Sequence, residues 1–268
     1  REFNADDVIF TFARMMDPAH PYYGVNGGNY ITFKTKLADA LEKVEKLDDY
    51  TVAFTLKQPL APFLGIMAHG SIAITSAEYA DALAAQGTPE LFDRDPIGTG
   101  PLQLQDYQTD AIVRLIPFAE TWGVAAGIEA NQPLVDAVIM AISADASVRV
   151  QRALAGECAI AFFPNLADAP VIEASGTVDL VPAKVASSGF ITFNQTIDKF
   201  QDLRVRQALA HAINMEPLVE SVFNGMGHLT GAVVPPDFWG SASDLQPYSY
   251  DPELAKKLLA EAGYPDGF

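Results

Sequence analysis

Apolar and polar positions along the chain fall into blocks with different periods. Val8, Ile9, Phe12, Met15 and Met16 recur at helical spacing behind Asn4 as a cap and the acidic pair Asp6-Asp7, and Asp17-Pro18 stops the run. The Gly-, Asn- and Tyr-rich stretch 19–29 predicts a surface loop. Residues 37–47 alternate charged and aliphatic positions and lead through Asp48-Asp49 into the β-branched and aromatic run 50–56, which predicts a hairpin. Ser76 caps a helix to about residue 85, closed by Gly87.

Pro96-Ile97-Gly98-Thr99-Gly100-Pro101 is the strongest punctuation in the chain. Beyond it, residues 102–105 and 112–116 read as an antiparallel pair, and 134–142 as a buried strand. Asp145 caps a helix over 146–155 that ends at Gly156; short strands are expected at 159–163 and 180–184, and a clearer one at 190–194. Asp202 caps a helix over 203–213, and Glu216-Pro217 opens another that ends near Gly225-Met226-Gly227. Asp251-Pro252 sets a cap and a first-turn proline before a helix over 253–262, stopped by Gly263. Helices and strands are interspersed without a repeat or a low-complexity linker, which predicts a mixed α/β protein of more than one lobe.

Composition fits that picture. Of 268 residues, 49% are hydrophobic and 19% charged, enough apolar material for a substantial core. Seventeen Lys and Arg face 34 Asp and Glu, a net charge of −17, so the average field repels phosphate backbones and anionic lipid and argues against a nucleic-acid partner. No run reaches the roughly 18 uninterrupted apolar residues of a spanning helix, and the start carries no signal-peptide pattern. The chain opens on the lead into a helix and stops just after a helix cap, so both ends are expected to continue in a longer protein.

The parts of an enzyme are missing from the sequence. His20, His69, His211 and His228 form no zinc spacing, and there is no Gly-x-Ser-x-Gly elbow, Walker A loop or dinucleotide fingerprint; no metal or cofactor is expected. Pro101 lacks the N–H that a phosphate cradle at Gly98-Thr99-Gly100 would use, which favours a tight turn or hinge there. Asp6-Asp7 and Asp48-Asp49 suit capping and turns, not a catalytic dyad. Cys158 reads either as a small buried hydrophobe or as half of a disulfide whose partner lies elsewhere. The candidate binding residues are aromatic and polar: Tyr22 and Tyr23, which with Tyr30 flank the 19–29 loop, and Phe193 and Asn194, with Phe190, on the expected 190–194 strand.

An ordered series of motifs resembles the family 5 extracellular solute-binding proteins of ABC importers, their dipeptide-binding members most closely. The series runs from Phe3-Asn4-Ala5-Asp6-Asp7-Val8 through Pro96-Ile97-Gly98-Thr99-Gly100-Pro101, Asp145-Ala146-Ser147-Val148-Arg149 and Gly156-Glu157-Cys158. It continues with Phe193-Asn194-Gln195, Leu203-Arg204-Val205-Arg206-Gln207-Ala208-Leu209, Pro235-Pro236-Asp237-Phe238-Trp239-Gly240 and Tyr250-Asp251-Pro252-Glu253-Leu254-Ala255-Lys256-Lys257-Leu258-Leu259.

The resemblance implies a multi-lobe, type II-like periplasmic binding-protein fold with an extra peptide-type domain, present here as an internal piece. Residues 1–95 would belong to the extra domain, 96–215 to the first lobe and 216–268 to the start of the opposing lobe. It implies a monomeric periplasmic receptor, not an enzyme, that closes on a short peptide and delivers it to permease subunits, with a chemoreceptor as a further partner. Tyr22, Tyr23, Phe193 and Asn194 would line the cleft, and Cys158 would pair with a cysteine upstream. The Asp and Arg that clamp a peptide's ends in dipeptide-binding relatives would lie beyond Phe268. The same family also binds haem, nickel complexes, oligosaccharides and opines.

Overall fold

The computed structural model describes residues 2–128, 132–183 and 187–268. The chain forms two compact units, Arg1–Ser143 and Ala144–Phe268.

In the first unit, α1 (Ala5–Met16) starts where expected, with a full capping box: the Asn4 side chain accepts from the first turn while Asp7 accepts from the Asn4 N–H at 3.0 Å. Two short helices that the pattern does not announce follow, α2 (Ile31–Lys36) and α3 (Phe63–Met67). Between them the expected hairpin forms from β1 (Leu41–Asp48) and β2 (Thr51–Leu56), in antiparallel register with Val44 opposite Phe54. A bulge between Leu41 and Lys43 breaks strict alternation, so Leu41 and Val44 both reach the core although three positions separate them. The helix α4 (Ala77–Gln86) is capped by Ser76 and ends on Gly87, whose φ of +75° is the left-handed geometry that favours glycine.

Two apolar clusters hold this part together. Phe12, Met15, Phe33, Leu37, Leu41 and Ile72 form the larger, with Val44, Phe54 and Phe63 packed against it. Tyr22, Ala80, Leu83 and Phe92 form the smaller, with Phe10 against it. The helix α1 serves both, turning Phe12 and Met15 to one cluster and Phe10 to the other.

The exposed 96–101 turn then leads to β3 (Leu102–Gln108), β4 (Ile112–Pro117) and, after the one-turn helix α5 (Trp122–Ala125), β5 (Val138–Ala141), an antiparallel sheet in the order β3-β4-β5. The buried strand expected over 134–142 is shorter and more open. Among the described residues β5 is an edge strand that pairs with β4 alone; Ile139 and Met140 stay about half exposed and Leu134 is 93% exposed.

The second unit is mainly helical: α6 (Ala146–Leu154), α7 (Ala169–Ser175), α8 (Leu203–Ala212), α9 (Met215–Phe223) and α10 (Pro252–Glu261). Asp145, Asp202 and Asp251 cap their helices as the sequence predicts. Val205 and Ala208 of α8 and Ala255 of α10 are buried, and the two helices pack together. The strands expected at 159–163 and 190–194 do not form, nor does one over 180–183; residue 184 lies outside the described residues. A strand needs a neighbour to satisfy its N–H and C=O groups, and none pairs with these stretches among the described residues.

Candidate functional site

The loop after α1 is built by local side-chain bonds. The Asp17 carboxylate accepts from the Ala19 N–H at 2.8 Å, and His20 Nδ1 accepts from the Tyr22 N–H at 3.1 Å. These turns drive Tyr22 inward. Its ring is 3% exposed, with centroids 5.5 Å from Phe10 and 5.3 Å from Phe92, and its hydroxyl donates to the Ala80 carbonyl. The expectation that this loop lies wholly at the surface is corrected there, because Tyr22 has a core partner for both ring and hydroxyl.

Tyr23 is half buried, and the Tyr30 hydroxyl donates to the carbonyls of Tyr22 at 3.1 Å and Tyr23 at 3.2 Å. Lys34 Nζ donates to the Gly28 carbonyl and lies 5.7 and 5.8 Å from the Tyr23 and Tyr30 ring centres. Gly28 is required at this point: its φ is +56°, and a Cβ would sit 2.2 Å from the Tyr23 oxygen. Burial raises the phenol pKa of Tyr22 and of Tyr30, so both remain neutral hydrogen-bond donors. Beside them a surface pocket of about 200 Å³ is lined by Asn29, Tyr30, Ile31, Thr32 and Ser71, among others. Its volume lies below the roughly 300–1,000 Å³ of ordinary small-molecule sites.

Arg14 and Phe92, which the sequence reading passes over, complete the cluster. The Arg14 guanidinium lies 4.9 Å from the Phe92 centroid and 5.5 Å from that of Tyr30, and 3.7 Å from the Asp93 carboxylate. The available signal is Arg14 four residues after Phe10, which sets both on one face of α1.

Phe193 and Asn194 belong to the second unit. Asn194 Oδ1 accepts from the Thr196 N–H at 3.0 Å and the Thr196 hydroxyl at 2.8 Å, making a turn that brings Phe200 to 5.7 Å from Phe193. Asn194 is exposed and Phe193 half buried. Cys158 is half buried with a free thiol. Tyr22 and Tyr23 are thus gathered with Tyr30, and Phe193 with Asn194.

The profile of the bacterial extracellular solute-binding proteins, family 5 Middle, matches residues 1–268. The chain is 40% identical over 269 aligned residues to the dipeptide-binding protein of Escherichia coli (strain K12), an alignment covering 100% of this chain and 49% of that protein. It is also 40% identical to heme-binding protein A of Haemophilus influenzae (strain ATCC 51907 / DSM 11121 / KW20 / Rd), over 100% of this chain and 48% of that one. Among solved structures, the ABC transporter-associated periplasmic binding protein DppA from Helicobacter pylori, in complex with peptide STSA, superposes with a TM-score of 0.82 at 30% identity, covering 100% of this chain and 51% of that one. The chain spans about half the length of the curated relatives it matches. With its whole length matched by the profile, the chain belongs to the bacterial extracellular solute-binding proteins, family 5.

Proposed function

We propose that the protein containing this chain is the solute receptor of an ABC importer and binds short peptides with free termini. It is a binding protein, not an enzyme, and it works in the periplasm as a monomer. The observation that carries the peptide reading is the 40% identity, across the whole chain, to a protein named for dipeptide binding. In this reading residues 1–95 are part of an extra domain, 96–215 of the first lobe and 216–268 of the opposing lobe. The lobes close on the peptide, main-chain hydrogen bonds match its backbone, and closure presents a docking surface to the permease subunits. A chemoreceptor is a second partner for the closed form.

Tyr23, Phe193 and Asn194 are proposed as cleft-wall contacts, since none of the three is buried. Tyr22, proposed with them, acts through its backbone and its hold on Tyr30, because its ring is enclosed. Cys158 is proposed to pair with a cysteine upstream of this chain.

Calorimetry on the product of the complete reading frame tests the proposal, with Ala-Ala, Ala-Phe and haem as titrants. Micromolar or tighter binding of either dipeptide supports it. Binding of haem alone would replace it with the second reading, which rests on equal identity to a haem-binding relative.

A further inference from the structure

Two histidines of the first unit use the same ring nitrogen as a hydrogen-bond acceptor. His20 Nδ1 accepts from the Tyr22 N–H at 3.1 Å, and His69 Nδ1 accepts from the Ser71 N–H, also at 3.1 Å. A neutral imidazole can do this because one of its nitrogens carries no proton; an imidazolium has an N–H on both and accepts from neither. His211 in the second unit makes the contrast. Its Nδ1 lies 2.7 Å from the Ser249 carbonyl, which only accepts, so that nitrogen is the donor and the bond survives protonation of the ring.

The two histidine turns meet at one place. The Tyr22 carbonyl accepts from the Tyr30 hydroxyl at 3.1 Å, and Tyr30 and Ser71 both line the pocket of about 200 Å³. Behind this wall Tyr22 is enclosed in the smaller apolar cluster, and Ile72, next to Ser71, in the larger. All of these partners lie within the first unit.

The charged groups around His20 set the direction of its response. Arg14 and Asp17 act on the ring, Asp81 and Glu90 act on Tyr22, and Asp93 pairs with Arg14. Burial, helped by Arg14 and opposed by Asp17, favours the neutral ring, so the His20 turn is intact at neutral pH and is lost as pH falls. The helix packed against the 70–72 turn, α2, carries Lys34 and Lys36, and no carboxylate.

We propose that His20 and His69 form an acid-sensitive catch: a proton from solvent on each Nδ1 releases the Tyr22 and Ser71 N–H groups and loosens both turns beside Tyr30, while the His211 bond of the second unit holds. The device is independent of which ligand the protein takes.

Hydrogen exchange on the product of the complete reading frame, read by mass spectrometry at pH 7 and pH 5 and corrected for the intrinsic pH dependence of exchange, tests it. Protection of residues 20–24 and 69–73 is expected to fall about three- to tenfold at the lower pH, the fold-change that loss of one hydrogen bond implies, while that of residues 203–212 changes less than about twofold. In the double variant His20→Asn, His69→Asn the amide oxygen accepts from the same N–H without titrating, as Asn194 does from Thr196, and protection in both segments should then differ less than about twofold between the two pH values. If that protein does not fold, the two single variants serve, each expected to rescue its own turn and not the other. An equal fall with and without the substitutions overturns the proposal. So does a fall of equal size in residues 203–212, which would mean general destabilisation, or a parent whose two turns keep their protection at pH 5.

Discussion

Asp7 joins two helices through one carboxylate. Besides closing the capping box of α1, it accepts from the Ala77 N–H at 2.9 Å, at the start of α4, and it is 3% exposed. Asp7→Ala is expected to cost about 2–3 kcal/mol, because a cap is lost and a part-buried N–H is left without its acceptor. Asp7→Asn, whose Oδ1 can still accept from Ala77, should recover roughly half of that; urea melts of the three proteins check the order. His20 gives a pH dependence. Burial, assisted by Arg14 and opposed by Asp17, holds its pKa below the ordinary value of about 6.5. The unfolded chain therefore binds the proton more readily, and stability falls as pH drops below that value toward the folded pKa. His20→Asn keeps an acceptor for the Tyr22 N–H and removes the titration, so its melting temperature should decline less between pH 7 and pH 5. Asp7 was legible as a helix-start acid because capping is local. Its bond to Ala77, and the inward turn of Tyr22, were not, because each depends on residues well over fifty positions away.

Elements with their own start and stop chemistry were the ones the sequence announced. Asn4, Ser76, Asp145, Asp202 and Asp251 each accept from a first-turn N–H, so these helices carry their signals with them. The short helices α2 and α3 lack a side-chain cap bond, and packing of Phe33 and Phe63 at the larger cluster holds them instead. Strands behave differently, because apolar runs at 159–163 and 190–194 name a propensity and not a partner. The pair α8 and α10 shows tertiary packing that composition alone hides. Small residues bring the helices together: Ala208 is fully enclosed and Ala255 is 4% exposed. At one end of α10, Arg204 donates to the Glu261 carbonyl at 2.6 Å; at the other, the Asp251 N–H donates to the His211 carbonyl at 2.9 Å. Ala208→Leu is expected to cost about 1–3 kcal/mol by overpacking, with thermal melting as the readout. A cost below about 0.5 kcal/mol would mean that the helices separate easily.

At the scale of the whole molecule, enclosed apolar side chains stand beside large apolar residues that both units leave open, Leu64 and Leu134 in the first among them. Phe12 and Leu37 are essentially enclosed, whereas Ile160, Phe190 and Ile191 are each more than 60% exposed. Scattered exposed apolar residues are ordinary, but runs of them at strand-like positions mark surfaces awaiting a neighbour. The relatives named above are about twice the length of this chain. The difference bears on binding. A dipeptide carries most of its recognisable chemistry in two charged termini, and losing one partner of a buried, hydrogen-bonded charge costs about 2–5 kcal/mol. If the groups that clamp the termini come from the remainder of the protein, the 268-residue chain by itself should bind Ala-Phe at least about thirtyfold more weakly than the complete protein, the fold-change that corresponds to the lower end of that cost. Calorimetry on both decides it: comparable affinities would place the whole clamp within this chain, and then Tyr23, Lys34 and the pocket beside Tyr30 would be the first residues to mutate.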